Sequence, residues 1–382
     1  MRIAKAEIFQ YTLDLQTPIP LRGNLLHQRA GFLLKLYDAE GHTAWGEAAP
    51  LPGFSRENLD ACQRTLVIAA RSLIARDEVP DDGALDTLPV FQTTMAQSAA
   101  YFAVESAWRQ LFAAQSNCPL WQLREDSRDG TLLLNALLTG DKDTIRKQAE
   151  RAMALGYRAV KLKVGREKMT DDLGLLKMVR SIIGPETELR LDANQVWSLD
   201  DAILFGKAAQ QSNISYIEEP CTSPFELPAF REATGIDYAI DESIHHIHDR
   251  IHERTAHAGA GPFRDLPIVP VVQGAKALVW KPTLIHSPEL GNFLFEETRP
   301  GQTKILVISG SFESGVGTAA LAAYAAMFSA ESVPVGLDTY RWLDPDVLQQ
   351  RLPLDGGVVD LHAIHQAGRA VDESKLTPIW PT

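Results

Sequence analysis

Five charged side chains stand at or near the ends of successive strand-like segments: Lys163, Asp192, Glu218, Asp241 and Lys281. The segments read AVKLKVG, LRLDANQ, YIEEP, YAIDES and LVWKPT. An apolar, β-rich run that ends in a charge is unusual, and five in succession predict one shared catalytic rim rather than isolated ion pairs. The three carboxylates form a hard oxygen donor set. It suits Mg2+, admits Mn2+, and matches Zn2+ poorly. The two lysines predict proton transfer, for which a lysine base must be neutral. Alternation along a strand sends Lys161 the same way as Lys163, and a neighbouring cation disfavours the protonated form of that base. It also groups Arg190, Asp192 and Asn194, and places Glu218 with Tyr216 but Glu219 on the opposite side. Arg190 reads as support for the site or, preferably, as an ion pair inside a barrel. Together these groups predict removal of a proton α to a carboxylate, with the developing charge stabilised by a metal. Lys281 supplies a second acid/base or an electrostatic stabiliser from the other face.

Such a rim needs parallel strands with a common direction. From about Gly130 short apolar strands alternate with longer amphipathic stretches. The strands are expected at Leu132–Leu137, Ala159–Val164, Glu188–Asp192, Ser215–Glu218, Tyr238–Asp241, Ala277–Lys281, Lys304–Ser309 and Val335–Asp338. Eight of them with crossover helices describe a (β/α)8-type barrel; an open doubly wound sheet has the same alternation. Helices are expected over Asp143–Leu155, over Leu199–Gln211 and from near Gly315. The first hundred or so residues read as α+β, with strands at Ile3–Leu15, Gly31–Tyr37 and Thr43–Glu47. A helix capped by Ser55 and another over Met95–Ala114 follow. The expected division is a capping domain over 1–115, completed by the tail from about 345 to 382, and a barrel over 116–344. Asp241 and Lys281 are further apart than the other neighbours in the series. The surplus holds His245, His246, His248, His252 and His257 and reads as a solvated insertion rather than a metal site.

The 382-residue chain is 45% hydrophobic, enough for a sizeable core, and carries a net charge of −12. That charge argues against non-specific nucleic-acid binding and against an anionic membrane surface. Cys62, Cys118 and Cys221 are isolated, as reduced thiols in a cytoplasmic protein would be. The N-terminus, MRIAKAEIFQYTLDL, alternates like a strand and has no signal-peptide pattern.

Lys161-Leu-Lys163, Asp192-Ala-Asn194, Glu218-Glu219-Pro220, Asp241-Glu242-Ser243 and Lys281-Pro282 resemble the motif series of the enolase superfamily, muconate-lactonizing subgroup. The resemblance implies an α/β fold: a (β/α)7β TIM-like barrel with an N-terminal α+β capping domain. It also implies Mg2+ held by Asp192, Glu218 and Asp241, a small-molecule carboxylate substrate, and proton abstraction α to the carboxylate. Within the subgroup, GEAAPLPGFSRE, SGSFESGVG and PVGLDTYRWL resemble the o-succinylbenzoate synthases. That likeness implies a hydro-lyase of menaquinone biosynthesis, converting 2-succinyl-6-hydroxy-2,4-cyclohexadiene-1-carboxylate to o-succinylbenzoate through an enediolate. In it Lys163 is general base and then acid, Lys281 stabilises the intermediate, Lys161 tunes the base and contacts the carboxylate, and Asn194 and Arg190 support the metal site. Ser309, Ser311 and Gly336 contact substrate carboxylates, and Thr17–Gly23 and Leu51–Ser55 are lid loops over the succinyl arm. The alternatives are an N-acylamino acid racemase or dipeptide epimerase, and a non-catalytic binding protein on the same fold. Dipeptide epimerases carry a DxD element after strand eight; here Asp338 stands alone.

Overall fold

The computed structural model describes residues 1–21, 24–75, 97–124, 127–128, 130–166, 168–249, 267–299 and 302–380. The N-terminal region builds β1 (Ile3–Leu21), β2 (Asn24–Asp38) and β3 (Thr43–Ala48), an antiparallel meander. It then forms α1 (Leu59–Ile74) and α2 (Ser98–Gln115). Strand β1 serves two cores. Ala6 and Ile8 point to α1 and α2, whereas Phe9, Tyr11, Leu13 and Leu15 join the core shared with the barrel. Period-two alternation makes this possible, because neighbouring residues face opposite sides. The expected cap of α1 is displaced. Asn58 accepts from the N–H of Ala61, while Ser55 accepts from Leu51 N and closes the preceding turn. Met95 lies outside the described residues.

The barrel begins after the short β4 (Thr131–Leu133). Its ring is β5 (Asn135–Leu138), α3 (Lys142–Ala154), β6 (Ala159–Lys163), α4 (Met169–Ile183), β7 (Glu188–Asp192), α5 (Leu199–Ala209) and β8 (Ile214–Glu218). It continues through α6 (Leu227–Thr234), β9 (Tyr238–Ile240), α7 (Val269–Gly274), β10 (Ala277–Trp280), α8 (Pro288–Glu297), β11 (Ile305–Ile308) and α9 (Gly315–Phe328). Strands β5 to β11 are parallel neighbours in sequence order. Val335 and Gly336 close the ring by bridging Leu134 on one side and Ser309 on the other. The result is a curled, barrel-forming sheet rather than an open doubly wound one.

Two strand expectations are corrected. Leu132–Leu137 is divided: β4 pairs antiparallel with β12 (Val358–Asp360), and only β5 enters the ring. The eighth strand shrinks to Val335–Gly336, because a 3₁₀ turn at Asp338–Trp342 turns the chain across the mouth. Inside the ring Tyr216, Ala239, Ala277, Val279 and Val307 pack together. Helix α9 is apolar all round and buried, as a helix between a barrel and a cap must be. In the tail, α10 (Leu361–Arg369) packs on α9, and β13 (Thr377–Trp380) adds to the edge of β1.

Candidate active site

Strand register brings the predicted residues together. Lys163 lies level with Asp192, and Asp192 with Glu218, across β6, β7 and β8. Asp241 and Lys281 follow directly on β9 and β10. The Asp192, Glu218 and Asp241 carboxylates are buried. Lys163 Nζ donates to Asp192 Oδ2 at 2.6 Å and to Asn194 Oδ1 at 2.7 Å. Lys281 pairs with Asp241 from the other end of the arc. Lys161 was expected to act as a neighbour of Lys163. It does share Asp192 Oδ2 with Lys163, at 3.1 Å, and its ammonium also reaches a second acid, 2.9 Å from Glu218 Oε1. A cation near three buried carboxylates is drawn to where their potentials add.

The electrostatics are those of a dense, mixed cluster. Burial opposes the charge of Asp192, yet Lys163, Lys161 and Lys281 hold it well below the ordinary range. Burial and the Asp192 charge push Glu218 up. Burial also opposes the charge of Lys161, but Glu218, Asp192 and Asp241 raise it well above an ordinary lysine. Lys281 is likewise raised, against burial, by Asp241 and Glu242. Three buried carboxylates from adjacent strands, balanced by flexible ammonium groups, fit a hard divalent cation: the donors are all oxygen and the competing charges are on mobile stems. A second acidic group, Asp38, Glu40 and His42, has atoms within 4.8 Å of one another at the β2–β3 turn. There Asp38 accepts from Glu40 N at 2.9 Å, His42 N at 2.8 Å and Gln115 Nε2 at 3.0 Å, so it is committed to the turn.

Neighbouring residues fix this cluster, Asn194 as expected and Glu219 beyond what was expected. Glu219, on the opposite face of β8, is fully buried and accepts from Asp241 N (2.8 Å), Ser243 N (2.7 Å) and Ser243 Oγ (2.7 Å). It clamps the backbone that presents Asp241. Asn194, at a left-handed φ of 47°, ties Lys163 to Glu242 through its amide. Asn194 is the third member of DAN and Glu219 the second of EEP, and their place in those motifs was the available signal. Arg190 sits below the site, inside the barrel. It is bonded to Glu188, Asn135 and the Pro334 carbonyl, not to the three acids.

A cavity of about 770 Å3 lies over these groups, between the barrel mouth and Ile19, Pro20, Leu51 and Phe54 of the N-terminal region. Thr17–Leu21, expected as a loop, is the end of β1; Arg22 and Gly23 lie outside the described residues. Ser311 lines the cavity, and its buried Oγ is without a hydrogen-bond partner among the described residues. Ser309 and Gly336 also line it, and the Ser309 hydroxyl donates to the Gly336 carbonyl at 3.3 Å. A side chain on Gly336 would meet Ser309 Oγ at 2.6 Å, so close approach explains that glycine. Asp338 accepts from Leu137 N at 2.7 Å and pairs with Arg341 at 3.1 Å. The histidine-rich stretch is described as far as Asp249. His248 is buried beside Asp249, which pairs with Arg56; His252 and His257 lie outside the described residues.

Two of the stretches that carried the resemblance turn out to touch each other. Glu47, from GEAAP, accepts from Ser314 N at 2.9 Å, from Gly317 N at 2.7 Å and from the hydroxyls of Ser314 and Tyr11. It occupies the N-terminus of α9, where backbone N–H groups attract an anion. Arg29 ties Phe312 O to the Ala49 and Pro50 carbonyls. A second seam joins Glu105 of α2 to His286, Tyr324 and Arg109.

A ring of buried acids flanked by lysines at the mouth of a capped (β/α) barrel is the arrangement of an enolase-type enzyme. The chain matches the family models "Enolase C-terminal domain-like" over residues 144–260 and "MenC, N-terminal domain" over residues 2–99. It is 31% identical to an o-succinylbenzoate synthase of Aliivibrio fischeri over 87% of this chain and 90% of that one. The chain belongs to the enolase superfamily and, within it, to the family of the o-succinylbenzoate synthases. Its fold matches an N-succinyl Arg/Lys racemase from Bacillus cereus at 18% identity, with a TM-score of 0.81 over 98% of this chain and 97% of that one. It also matches a dipeptide epimerase from Cytophaga hutchinsonii complexed with Mg and a dipeptide, at 21% identity and a TM-score of 0.75 over 94% and 93%. No helix among the described residues is long and apolar enough to cross a membrane.

Proposed function

We propose that the protein is a Mg2+-dependent o-succinylbenzoate synthase. In this reading it catalyses syn-dehydration of 2-succinyl-6-hydroxy-2,4-cyclohexadiene-1-carboxylate to o-succinylbenzoate in menaquinone biosynthesis. The observation that carries the chemistry is the placing of Lys163 and Lys281 at opposite ends of an arc of three buried carboxylates. Asp192, Glu218 and Asp241 would hold the Mg2+. Bound there, it supplies positive charge at the substrate carboxylate as the α-proton leaves.

The residues of the chain do the rest. Lys163 Nζ takes the α-proton, oriented by Asn194 Oδ1, and the C–H electron pair passes into the carboxylate to give the enediolate. The pair then returns to form the ring double bond and expels the 6-hydroxyl. That group takes the same proton from Lys163 and leaves as water, so acid and base act on one face. Lys281, whose charge is favoured by Asp241 and Glu242, stays protonated and stabilises the enediolate from the opposite side. Lys161 steadies the acids between which it lies. Ser311 offers its unpartnered hydroxyl to a substrate carboxylate, and Ser309 with Gly336 shapes that wall. The capping domain is residues 1–115 with the tail from about 345, set over a barrel of 116–344.

Asp338 bears on the epimerase reading. Its carboxylate is spent on Leu137 N and Arg341, so it is not free to grip a substrate ammonium. The test is conversion of the cyclohexadiene substrate with Mg2+ and after EDTA. Rapid turnover abolished by EDTA supports the dehydratase. No turnover, with α-proton exchange in N-acylamino acids, replaces it with the racemase.

A further inference from the structure

Arg166 stands three residues beyond Lys163 on the chain leaving β6, in the wall of the catalytic cavity. The other cations of that cavity are paired. Lys161 and Lys163 are bonded to Asp192 and Glu218, and Lys281 to Asp241. Arg341, just outside it, is paired with Asp338. Arg166 is different. Its one hydrogen bond among the described residues is from Nη1 to Thr139 Oγ1 at 2.8 Å, with no carboxylate in ion-pair range. The residue is exposed at the cavity wall; its buried portion acts as a cost to its charge, offset only in part by Asp192 and Asp172. Thr139 is itself held, its N–H donating to Gln148 Oε1 at 2.8 Å. One corner of the guanidinium is therefore anchored, and its remaining N–H groups form the fork that binds a carboxylate with two parallel bonds.

We infer that Arg166 is a specificity-determining residue, oriented by Thr139, that receives the distal carboxylate of a dicarboxylate substrate. The inference rests on the proposed dehydratase reading, in which the substrate has a ring carboxylate and a second one at the end of a succinyl arm. Asp192, Glu218 and Asp241 form the pole for the first. Arg166, on the side of the cavity nearest β5, forms the pole for the second. Substrates without the second anion form no such pair, and the site binds them less tightly.

The test pairs o-succinylbenzoate with its terminal amide, equal in shape but uncharged at the arm. Their affinities in Mg2+ are measured by calorimetry for wild type, Arg166→Met and Arg166→Lys. Wild type is expected to prefer the acid by roughly 10- to 100-fold, the range for a charge-assisted pair. Arg166→Met loses that preference with little change in amide affinity, and Arg166→Lys recovers part of it. A wild type with no preference, or an Arg166→Met variant that weakens both ligands equally, overturns the inference and makes Arg166 a loop support. Failure of wild type to dehydrate the cyclohexadiene overturns the functional reading alone, since the paired affinities still decide the role of Arg166.

Discussion

At the barrel mouth, Asp192, Glu218 and Asp241 are matched to ammonium groups on flexible stems. At the seam between cap and barrel, Glu47 and Glu105 are matched to backbone N–H groups, hydroxyls, a histidine and an arginine. Both sets are buried, and burying a carboxylate costs several kcal/mol unless it is paired. The difference lies in the partners. A helix N-terminus cannot move away from its acid without unfolding something, whereas a lysine can rotate off one. The seam is built to stay closed. In the proposed function the mouth exchanges one cation for another and frees a lysine for proton transfer.

That contrast can be broken by substituting one acid at a time. The largest effect is expected at the mouth. Glu218→Gln should lower dehydration by at least about a thousand-fold, because charge stabilisation of the reacting centre is lost. Its circular-dichroism melt should stay close to wild type. A melt that collapses would place Glu218 with the structural acids. At the seam the order reverses. Glu47→Ala strands the N–H groups of Ser314 and Gly317 and two hydroxyls, and should destabilise by about 3–5 kcal/mol in denaturant unfolding. Turnover per folded molecule should change far less.

Glu57 gives an intermediate case, readable by pH. It is buried, accepts from Ala99 N at 2.6 Å, and burial pushes its pKa up to about 7. The folded state thus holds a proton that the unfolded chain releases near pH 4.5. Stability from this group falls as pH rises from about 4.5 to 7, by up to about 3 kcal/mol in all. Glu57→Gln should flatten the unfolding free energy over that window and raise it at pH 8; an unchanged slope would refute the assignment. The smallest effect is expected from Ser311→Ala, a rise of about tenfold in KM with kcat nearly kept, for loss of one substrate hydrogen bond. A fall in kcat alone would move Ser311 into the chemistry.

Much of the mouth was legible in the sequence because strand period and barrel direction together decide which side chains converge. KLK, RLDAN and YIEEP needed only alternation and a common strand direction for Lys163, Asp192 and Glu218 to fall level. What alternation does not give is the partner of a long side chain. Lys161 was expected beside Lys163 and shares Asp192 Oδ2 with it, but its bond to Glu218 was not foreseen. The clamp made by Glu219 was missed for a related reason: its partners are backbone N–H groups of Asp241 and Ser243, which carry no sequence signature. The seam was legible as family likeness but not as contact. GEAAP and ESGVG were read as resembling the o-succinylbenzoate synthases, and in the structure they hold each other: Glu47 meets Gly317 N, and a side chain on Gly317 would meet Glu47 Oε2 at 2.6 Å. The divided first strand and the shortened eighth depend on long-range pairing with β12, β5 and β11, which local pattern does not encode.

The central claim is that Lys163 moves the proton. It is tested most directly by single-turnover dehydration of the cyclohexadiene substrate at saturating Mg2+, comparing wild type with Lys163→Ala. A rate at least about a thousand-fold lower is predicted for the variant, within the roughly 10²- to 10⁴-fold that a positioned general base supplies, with an unchanged thermal melt. A variant within about tenfold of wild type, less than an acid–base group supplies, would contradict it.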